Sequence, residues 1–278
     1  MKLICESGAT KGDWRAVDGG SEIARALTGG TNVSTMSQEA VLAAILEAAT
    51  TLPPGPYEAV HFYTAGVLTD DIQAWLGTAL REAFKAERVE MQTDLVAAAR
   101  AACGHAPGIA AILGTGSNSC LYDGERITMQ IKSGGFILGD EGSASVIGKT
   151  FISDYIKGLV PREIACEFDR VFPGLDYATV VTKVYHSETS PSGWLGSLCP
   201  FILEHYSHPY IKRLVDGSLQ AFIDRSLKQY DTDRYPVGII GGLGNALKDI
   251  LTPLLKRNGI RVRAFIPSPI EELLRYHA

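Results

Sequence analysis

Two short segments rich in glycine and hydroxyl side chains, each at the end of an apolar strand pattern, constrain this chain more than any other feature. The first, Glu6-Ser7-Gly8-Ala9-Thr10-Lys11, follows a strand pattern over residues 2–5. The second, Leu113-Gly114-Thr115-Gly116-Ser117-Asn118-Ser119, ends the apolar run 109–113. Each is followed by another strand pattern (residues 13–17 and 120–122), so each reads as a hairpin turn. The strand-to-helix turn of a dinucleotide site is thereby excluded, although Gly114-Thr115-Gly116 superficially resembles its fingerprint. A turn of such residues offers backbone N–H groups and hydroxyls to phosphate oxygens. Either turn alone is also explained as a simple glycine hairpin.

Around these turns the pattern runs twice through strands and then into helices. Residues 2–5, 13–17 and 23–27 read as strands. Ser37 begins a helix with Val41, Ile45, Ala48 and Leu52 on one face, stopped by Pro53-Pro54. Residues 59–64 read as a strand. Thr69 caps an amphipathic helix whose stripe is Ile72, Trp75, Leu76, Ala79, Leu80, Ala83 and Phe84. A strand over 89–92 precedes an alanine-rich helix opened by Asp94 and ended by Gly104. From about residue 107 the strands restart at 109–113, 120–122 and 127–131. A mainly helical stretch fills 143–230, and a strand at 237–240, a helix at 243–256, a strand at 261–266 and a short helix after Pro269 close the chain. Alternating strands and helices imply mainly parallel sheets with hairpins at one side. The expectation is an α/β protein of two halves, 1–106 and 107–278, facing each other across a cleft. The second half carries a helical insertion, and the last helix, about 269–278, packs back on the first half.

Composition narrows the function. A net charge of -5 over 278 residues gives no footprint for nucleic acid or an anionic membrane. No apolar run reaches the roughly 18 residues of a membrane span, and the N-terminus lacks the apolar core of a signal peptide. Five scattered cysteines without a C-x-x-C pair argue against a disulfide framework or a zinc site and fit a reducing cytoplasm. The P-loop, zinc-protease, nucleophile-elbow and protein-kinase signatures are all absent. Of the six histidines only His205 and His208 have ligand-like spacing, and these read as a solvated helix end.

Three further groups carry chemistry. Glu6, at the end of its strand, is placed to hold Mg²⁺ through water, and Lys11 adds positive charge. Gly134-Gly135-Phe136-Ile137-Leu138-Gly139-Asp140-Glu141-Gly142-Ser143 combines close backbone approach with an acidic pair. That pair reads either as a sugar-hydroxyl ligand or as a favourable charge at a helix N-terminus. Gly241-Gly242-Leu243-Gly244-Asn245 is a strand-to-helix turn where a flat base or ribose can lie on backbone, or where glycine serves packing alone.

Taken in order, Thr10-Lys11, Gly114-Thr115-Gly116-Ser117-Asn118, Gly139-Asp140-Glu141-Gly142-Ser143 and Gly241-Gly242 resemble the BadF/BadG/BcrA/BcrD ATPase family over nearly the whole chain. Within it the chain is most similar to N-acetylglucosamine kinases. The resemblance implies two ribonuclease-H-like domains of the actin/hexokinase/Hsp70 type, closing on ATP-Mg²⁺ and a small sugar. It implies Ser7, Gly8, Thr10 and Lys11 in the first phosphate loop and Gly114, Thr115 and Gly116 in the second. Glu6 would hold the metal, and Gly241, Gly242 and Asn245 the adenosine. Asp94, in Gln92-Thr93-Asp94-Leu95, matches the family's base for the sugar 6-hydroxyl. Asn32, Asn118, Asp140 and Gly134-Gly135 match its sugar site. The chain departs from the family in having Glu6 where Asp is common and Val33-Ser34-Thr35 where bulky neighbours are usual. The family often forms dimers, so a homodimer is one assembly it implies, with no nucleic-acid or membrane partner. Two other functions occur in the family or fold. An ATP-driven activator of a 2-hydroxyacyl-CoA dehydratase needs bridging cysteines, and here Cys166 and Cys199 are far apart. A non-catalytic sugar-binding regulator would not need the acids retained here.

Overall fold

The computed structural model describes residues 1–8, 11–66, 68–186 and 190–278. Its elements, in chain order, are β1 (Lys2–Ser7), β2 (Lys11–Asp18), β3 (Ser21–Gly29), α1 (Gln38–Thr51), β4 (Ala59–Thr64), α2 (Asp70–Phe84), β5 (Arg88–Thr93) and α3 (Asp94–Cys103). There follow β6 (Gly108–Leu113), β7 (Ser117–Tyr122), β8 (Ile127–Ile131), α4 (Gly135–Leu138), α5 (Ala144–Tyr155), α6 (Arg162–Val171), α7 (Tyr177–Tyr185), α8 (Pro191–Ser197), α9 (Cys199–Glu204) and α10 (Pro209–Arg225). The last are β9 (Val237–Ile240), α11 (Gly242–Ala246), α12 (Lys248–Arg257), β10 (Val262–Ile266) and α13 (Ile270–Tyr276).

The strands form two five-stranded sheets, ordered β3-β2-β1-β4-β5 and β10-β9-β6-β7-β8. Numbered within each half, both run 3-2-1-4-5. In the first, β1–β2 and β2–β3 are antiparallel and β1–β4 and β4–β5 parallel. In the second, β6–β7 is antiparallel and β6–β9 and β9–β10 parallel. This doubled mixed sheet is the ribonuclease-H-like, actin-type α/β fold. The chain divides into two compact units: residues 1–106, 123–127 and 268–278, and residues 107–122 and 128–267.

In the first unit the pleat sends alternate residues to opposite faces. Leu3, Cys5, Trp14, Val60 and Phe62 join Val41 and Ile45 of α1 and Leu76, Leu80 and Phe84 of α2 in one core. Trp14 is fully buried, and its indole N–H finds Thr28 Oγ1 at 3.0 Å, so the large ring leaves no donor unpaired. On the other face Ile4 and Tyr63 meet Ala97 of α3 and Ile270 and Leu273 of α13. The second unit's core joins Ile109, Ala111, Leu113, Val237 and Ile239 to α5 through α12.

Local chemistry sets the helix ends. Ser37, Thr69, Thr93 and Ser143 cap α1, α2, α3 and α5 with their hydroxyls, each accepting an N–H in the first turn. Thr93, rather than Asp94, is the cap of α3, so Asp94 is its first helical residue. The helix expected over 243–256 is broken at Leu247 into α11 and α12. Gly259, with φ of 72°, turns the chain out of α12. His208 caps α10, and His205 and His208 reach Glu167 and Glu163 at 2.7 and 3.1 Å, so the solvated pair is tied down by carboxylates.

Candidate active site

In the first unit, the parallel strands β1, β4 and β5 end in register at Ser7, Thr64 and Thr93. The backbone there is tightly tied: Gly8 N–H donates to Lys11 O at 3.0 Å, Ala65 N–H to Ser7 O at 3.0 Å, and Thr31 N–H to Gly8 O at 3.2 Å. Thr31 and Thr64, both fully buried, pair through their hydroxyls at 3.1 Å. Ser7 is fully buried, yet its hydroxyl has no hydrogen-bond partner. A buried hydroxyl left unpaired costs roughly 1–3 kcal/mol, so an unpaired one marks a place for a ligand or a strained compromise. Gly12 faces it: a Cβ there would stand 2.8 Å from Thr28 Oγ1 and 3.2 Å from Ser7 Oγ. Lys11 is exposed at the start of β2. Thr10 lies outside the described residues.

Two carboxylates stand at this same sheet end. Asp94 is the first residue of α3, and desolvation, outweighing the lowering pull of its own and the Leu95 backbone N–H, pushes its pKa up to about 6. Glu6 is pushed up to about 7, first by desolvation and then by the negative charge of Asp94, against the pull of Lys11. The pair is held in neighbouring positions at a cost in charge repulsion, which a bound cation would relieve. Among the described residues no three or more His, Cys, Asp or Glu side chains form a metal cage.

Asn32 follows β3 in this unit. Its Oδ1 accepts the Ser34 N–H at 3.0 Å and its carbonyl accepts Thr35 and Met36 N–H, so its amide nitrogen is the group left to donate. Gly66, at φ of 101°, lies against it; a Cβ would come 3.0 Å from Asn32 Oδ1.

In the second unit, the β6–β7 turn is seated on the start of α5. Ala144 and Ser145 N–H donate to the carbonyls of Gly114 and Thr115 at 3.0 and 3.1 Å. The amides of Thr115 and Gly116 are thus turned away from that helix, and among the described residues they have no carbonyl partner. Asp140 sits beside them, buried and at a left-handed φ of 54°, a conformation costing on the order of 1 kcal/mol for a residue with a Cβ. Its backbone is clamped by Asp140 N–H to Ser133 O at 2.9 Å and Ser143 N–H to Asp140 O at 3.1 Å. Desolvation raises the pKa of its carboxylate, against the lowering pull of the nearby Ser117 amide and Ser133 hydroxyl. A Cβ on residue 116 would stand 2.9 Å from its Oδ2.

Glu141, the other half of the acidic pair, turns to Arg225 at 2.7 Å, so the two acids part company. Asn118 on β7 uses its Oδ1 for the Ser119 amide at 2.9 Å and Gln130 at 3.3 Å. Gly134 and Gly135 adopt φ of 75° and 69°, and space is open around Gly135. Gly241, at φ of 116°, lies on the carbonyl of Leu113, 2.4 Å from where its Cβ would be, which brings the β9–α11 turn directly against the end of β6. Gly242 and Asn245 stay exposed at that turn, and a Cβ on Gly242 would meet nothing within 4 Å.

The second-unit residues Gly114–Gly116, Asp140 and Gly241 are therefore brought together around the β6 end, and Glu6, Ser7 and Asp94 around the β1 end. Sequence reasoning missed the unpaired state of Ser7 and the clamp of Ser133 and Ser143 on the Asp140 backbone; both depend on the folded arrangement. Cys5, Cys103, Cys120 and Cys199 are buried and Cys166 is exposed, and burial pushes the Cys199 thiol up to about 12. Among the described residues no helix is long and apolar enough to cross a membrane.

No family model matches the chain, nor does any curated protein. Solved structures do. A Porphyromonas gingivalis protein provisionally named as an N-acetylglucosamine kinase is 35% identical, with a TM-score of 0.89 over 100% of this chain and 98% of its own. A Chromobacterium violaceum protein given the same provisional name is 22% identical, with a TM-score of 0.76 over 100% and 98%. A ROK-family glucokinase from Streptomyces griseus, solved with glucose and AMPPNP, shares the fold at 16% identity and a TM-score of 0.57 over 99% and 97%. By its 35% identity over the whole chain, this protein belongs to the N-acetylglucosamine-kinase-like family of the BadF/BcrA type.

Proposed function

We propose that this protein is an ATP-dependent sugar kinase that transfers the γ-phosphoryl group to a hydroxyl, the 6-hydroxyl, of an amino sugar such as N-acetylglucosamine. The observation that carries this reading is Asp94: a carboxylate fixed at the first position of α3, with its pKa raised to about 6. A group near that value is ionised at neutral pH yet basic enough to take a hydroxyl proton as transfer proceeds. Its place as the first residue of a helix capped by Thr93 fixes its backbone, which supplies the positioning that phosphoryl transfer chiefly needs.

The other residues divide by chemistry. The amides of Thr115 and Gly116, with Ser7, Thr10 and Lys11, are donors to phosphate oxygens, and Gly8, whose N–H is already given to Lys11 O, lets backbone and phosphate approach closely. The unpaired Ser7 hydroxyl supports this, because an incoming phosphate gives it the partner the fold withholds. Gly241, Gly242 and Asn245 receive the adenosine, and the open space above Gly242 leaves room for a flat group. Asn32, Asn118, Asp140, Gly134 and Gly135 receive the sugar: Asn32 donates, and Asp140 accepts from hydroxyls. Glu6 is the residue that would hold Mg²⁺, and the ion would supply charge neutralisation for the phosphates.

The test is an ADP-release assay across N-acetylglucosamine, glucosamine, N-acetylmannosamine and glucose. Turnover highest with N-acetylglucosamine supports the reading; no turnover with any sugar contradicts it.

A further inference from the structure

Helix α3 packs with small side chains between its sheet and α13. Ala97, Ala98, Ala99, Ala101 and Ala102 are all buried. Ridges one carbon deep interdigitate little, so such a face brings a helix close to a sheet but resists sliding and rotation weakly. Arg100 is the one long side chain beyond the first turn. Its Nη1 donates to the Tyr63 hydroxyl at 2.6 Å and to Glu90 Oε1 at 2.8 Å, and its guanidinium lies 4.9 Å from the ring centre of Tyr276. Nε has no partner, so the anchor acts through its tip.

The end of the chain closes this cluster from the other side. His277 Nε2 lies 2.7 Å from the Tyr63 hydroxyl, its ring stacks on His61 at 3.7 Å, and its carbonyl accepts Lys2 Nζ at 2.8 Å. His61 Nδ1 reaches Glu90 Oε2 at 2.9 Å. An arginine can only donate, so the Tyr63 oxygen accepts from Arg100 and its own hydrogen serves His277 Nε2. That needs a neutral imidazole, and burial, followed by the nearby His61, pushes His277 down to about 3. Tyr63 itself stands on β4 in register with Glu6 on β1 and Gln92 on β5, one strand from each. The cluster therefore ties α3 to the strand that runs between the two strands bearing the site.

We propose that Arg100, held by Tyr63 and His277, is a positioning residue that sets the axial place of α3 and so the place of the Asp94 carboxylate. The proposal rests on the reading of Asp94 as the base. Asp94 and Arg100 are six residues apart, about 9 Å along a helix axis, and a helix that short shifts as one piece. A base displaced by about 1 Å can cost up to two orders of magnitude in rate, so a loose anchor shows first in kcat.

The test uses Tyr63→Phe, which keeps the ring and removes the hydroxyl, and Arg100→Lys, which keeps the charge and loses the planar fork. Hydrogen exchange across unit one reads the anchor without requiring any activity, and steady-state kinetics read its consequence. Both variants are expected to speed exchange at residues 96–98 by about fivefold or more, with α1 and α2 unchanged. They are expected to lower kcat by about tenfold with the KM for ATP within about twofold. Unchanged exchange at the start of α3 in Tyr63→Phe overturns the proposal. So does faster exchange throughout the unit with normal kcat per folded molecule, since that is the mark of a structural role alone. A wild-type protein without sugar-kinase turnover overturns the base reading of Asp94 instead, and the exchange result still decides the anchor.

Discussion

Gly116 and Asp140 share one wall: a Cβ on residue 116 would stand 2.9 Å from Asp140 Oδ2. Asp140 cannot swing away freely, because it is buried and its backbone is clamped by Ser133 and Ser143. The turn that would grip phosphate and the carboxylate that would accept from sugar are thus packed as one unit.

Gly116→Ala should therefore push Asp140 out of place. The expected result is a rise of about tenfold in sugar KM, equivalent to about 1.4 kcal/mol, in a folded protein. Steady-state kinetics with the sugar varied at saturating ATP checks this; an unchanged sugar KM would show that the two are not coupled.

Gly241 and Gly242 are adjacent but should respond oppositely. At Gly241 an added methyl would strike the Leu113 carbonyl at 2.4 Å on a backbone at φ of 116°. Neither strain has a flexible side chain to absorb it, so Gly241→Ala should destabilise by roughly 2–4 kcal/mol. Gly242 has open space, so Gly242→Ala should leave stability within about 0.5 kcal/mol while weakening ATP binding. Urea unfolding and calorimetric ATP titration separate the two.

Ser7→Ala removes a buried hydroxyl that has no partner in the fold. Its stability should be equal to wild type or higher by up to about 1 kcal/mol, whereas ATP binding should weaken about tenfold. Loss of stability instead would mean that the hydroxyl is satisfied internally.

Asp94 should weigh against stability in a pH-dependent way. Its folded-state value of about 6 exceeds the ordinary 3.8, so its favourable contribution is complete below about pH 3.8 and is lost as pH rises through 6. Asp94→Asn, which stays neutral, should melt about 5–10 °C above wild type at pH 8, a difference of about 3 kcal/mol that disappears near pH 4. The activity of wild type should fall as pH drops through about 6, when the base becomes protonated.

Much of this was visible in the residues themselves. Strand-end acids, glycine turns and hydroxyl caps are local devices, and Ser37, Thr69 and the 113–119 turn act where their spacing places them. Ordinary cap preference also allowed Asp94 as the cap of α3; Thr93 takes that place, which frees the Asp94 carboxylate for other work. The Arg100–Tyr63–His277 cluster was not legible, because its partners lie 37 and 214 residues apart and no periodicity joins them. The left-handed Asp140 was equally hidden: nothing in Gly139-Asp140-Glu141 says which acid turns inward, and the clamp from Ser133 and Ser143 decides it.

The most direct test of the central claim is phosphoryl transfer to N-acetylglucosamine by wild type and Asp94→Asn, with ATP affinity measured on both. Wild type should turn over the sugar, and Asp94→Asn should lose at least about a hundredfold in kcat while binding ATP with similar affinity. Turnover retained by Asp94→Asn, with ATP still bound, would contradict the account.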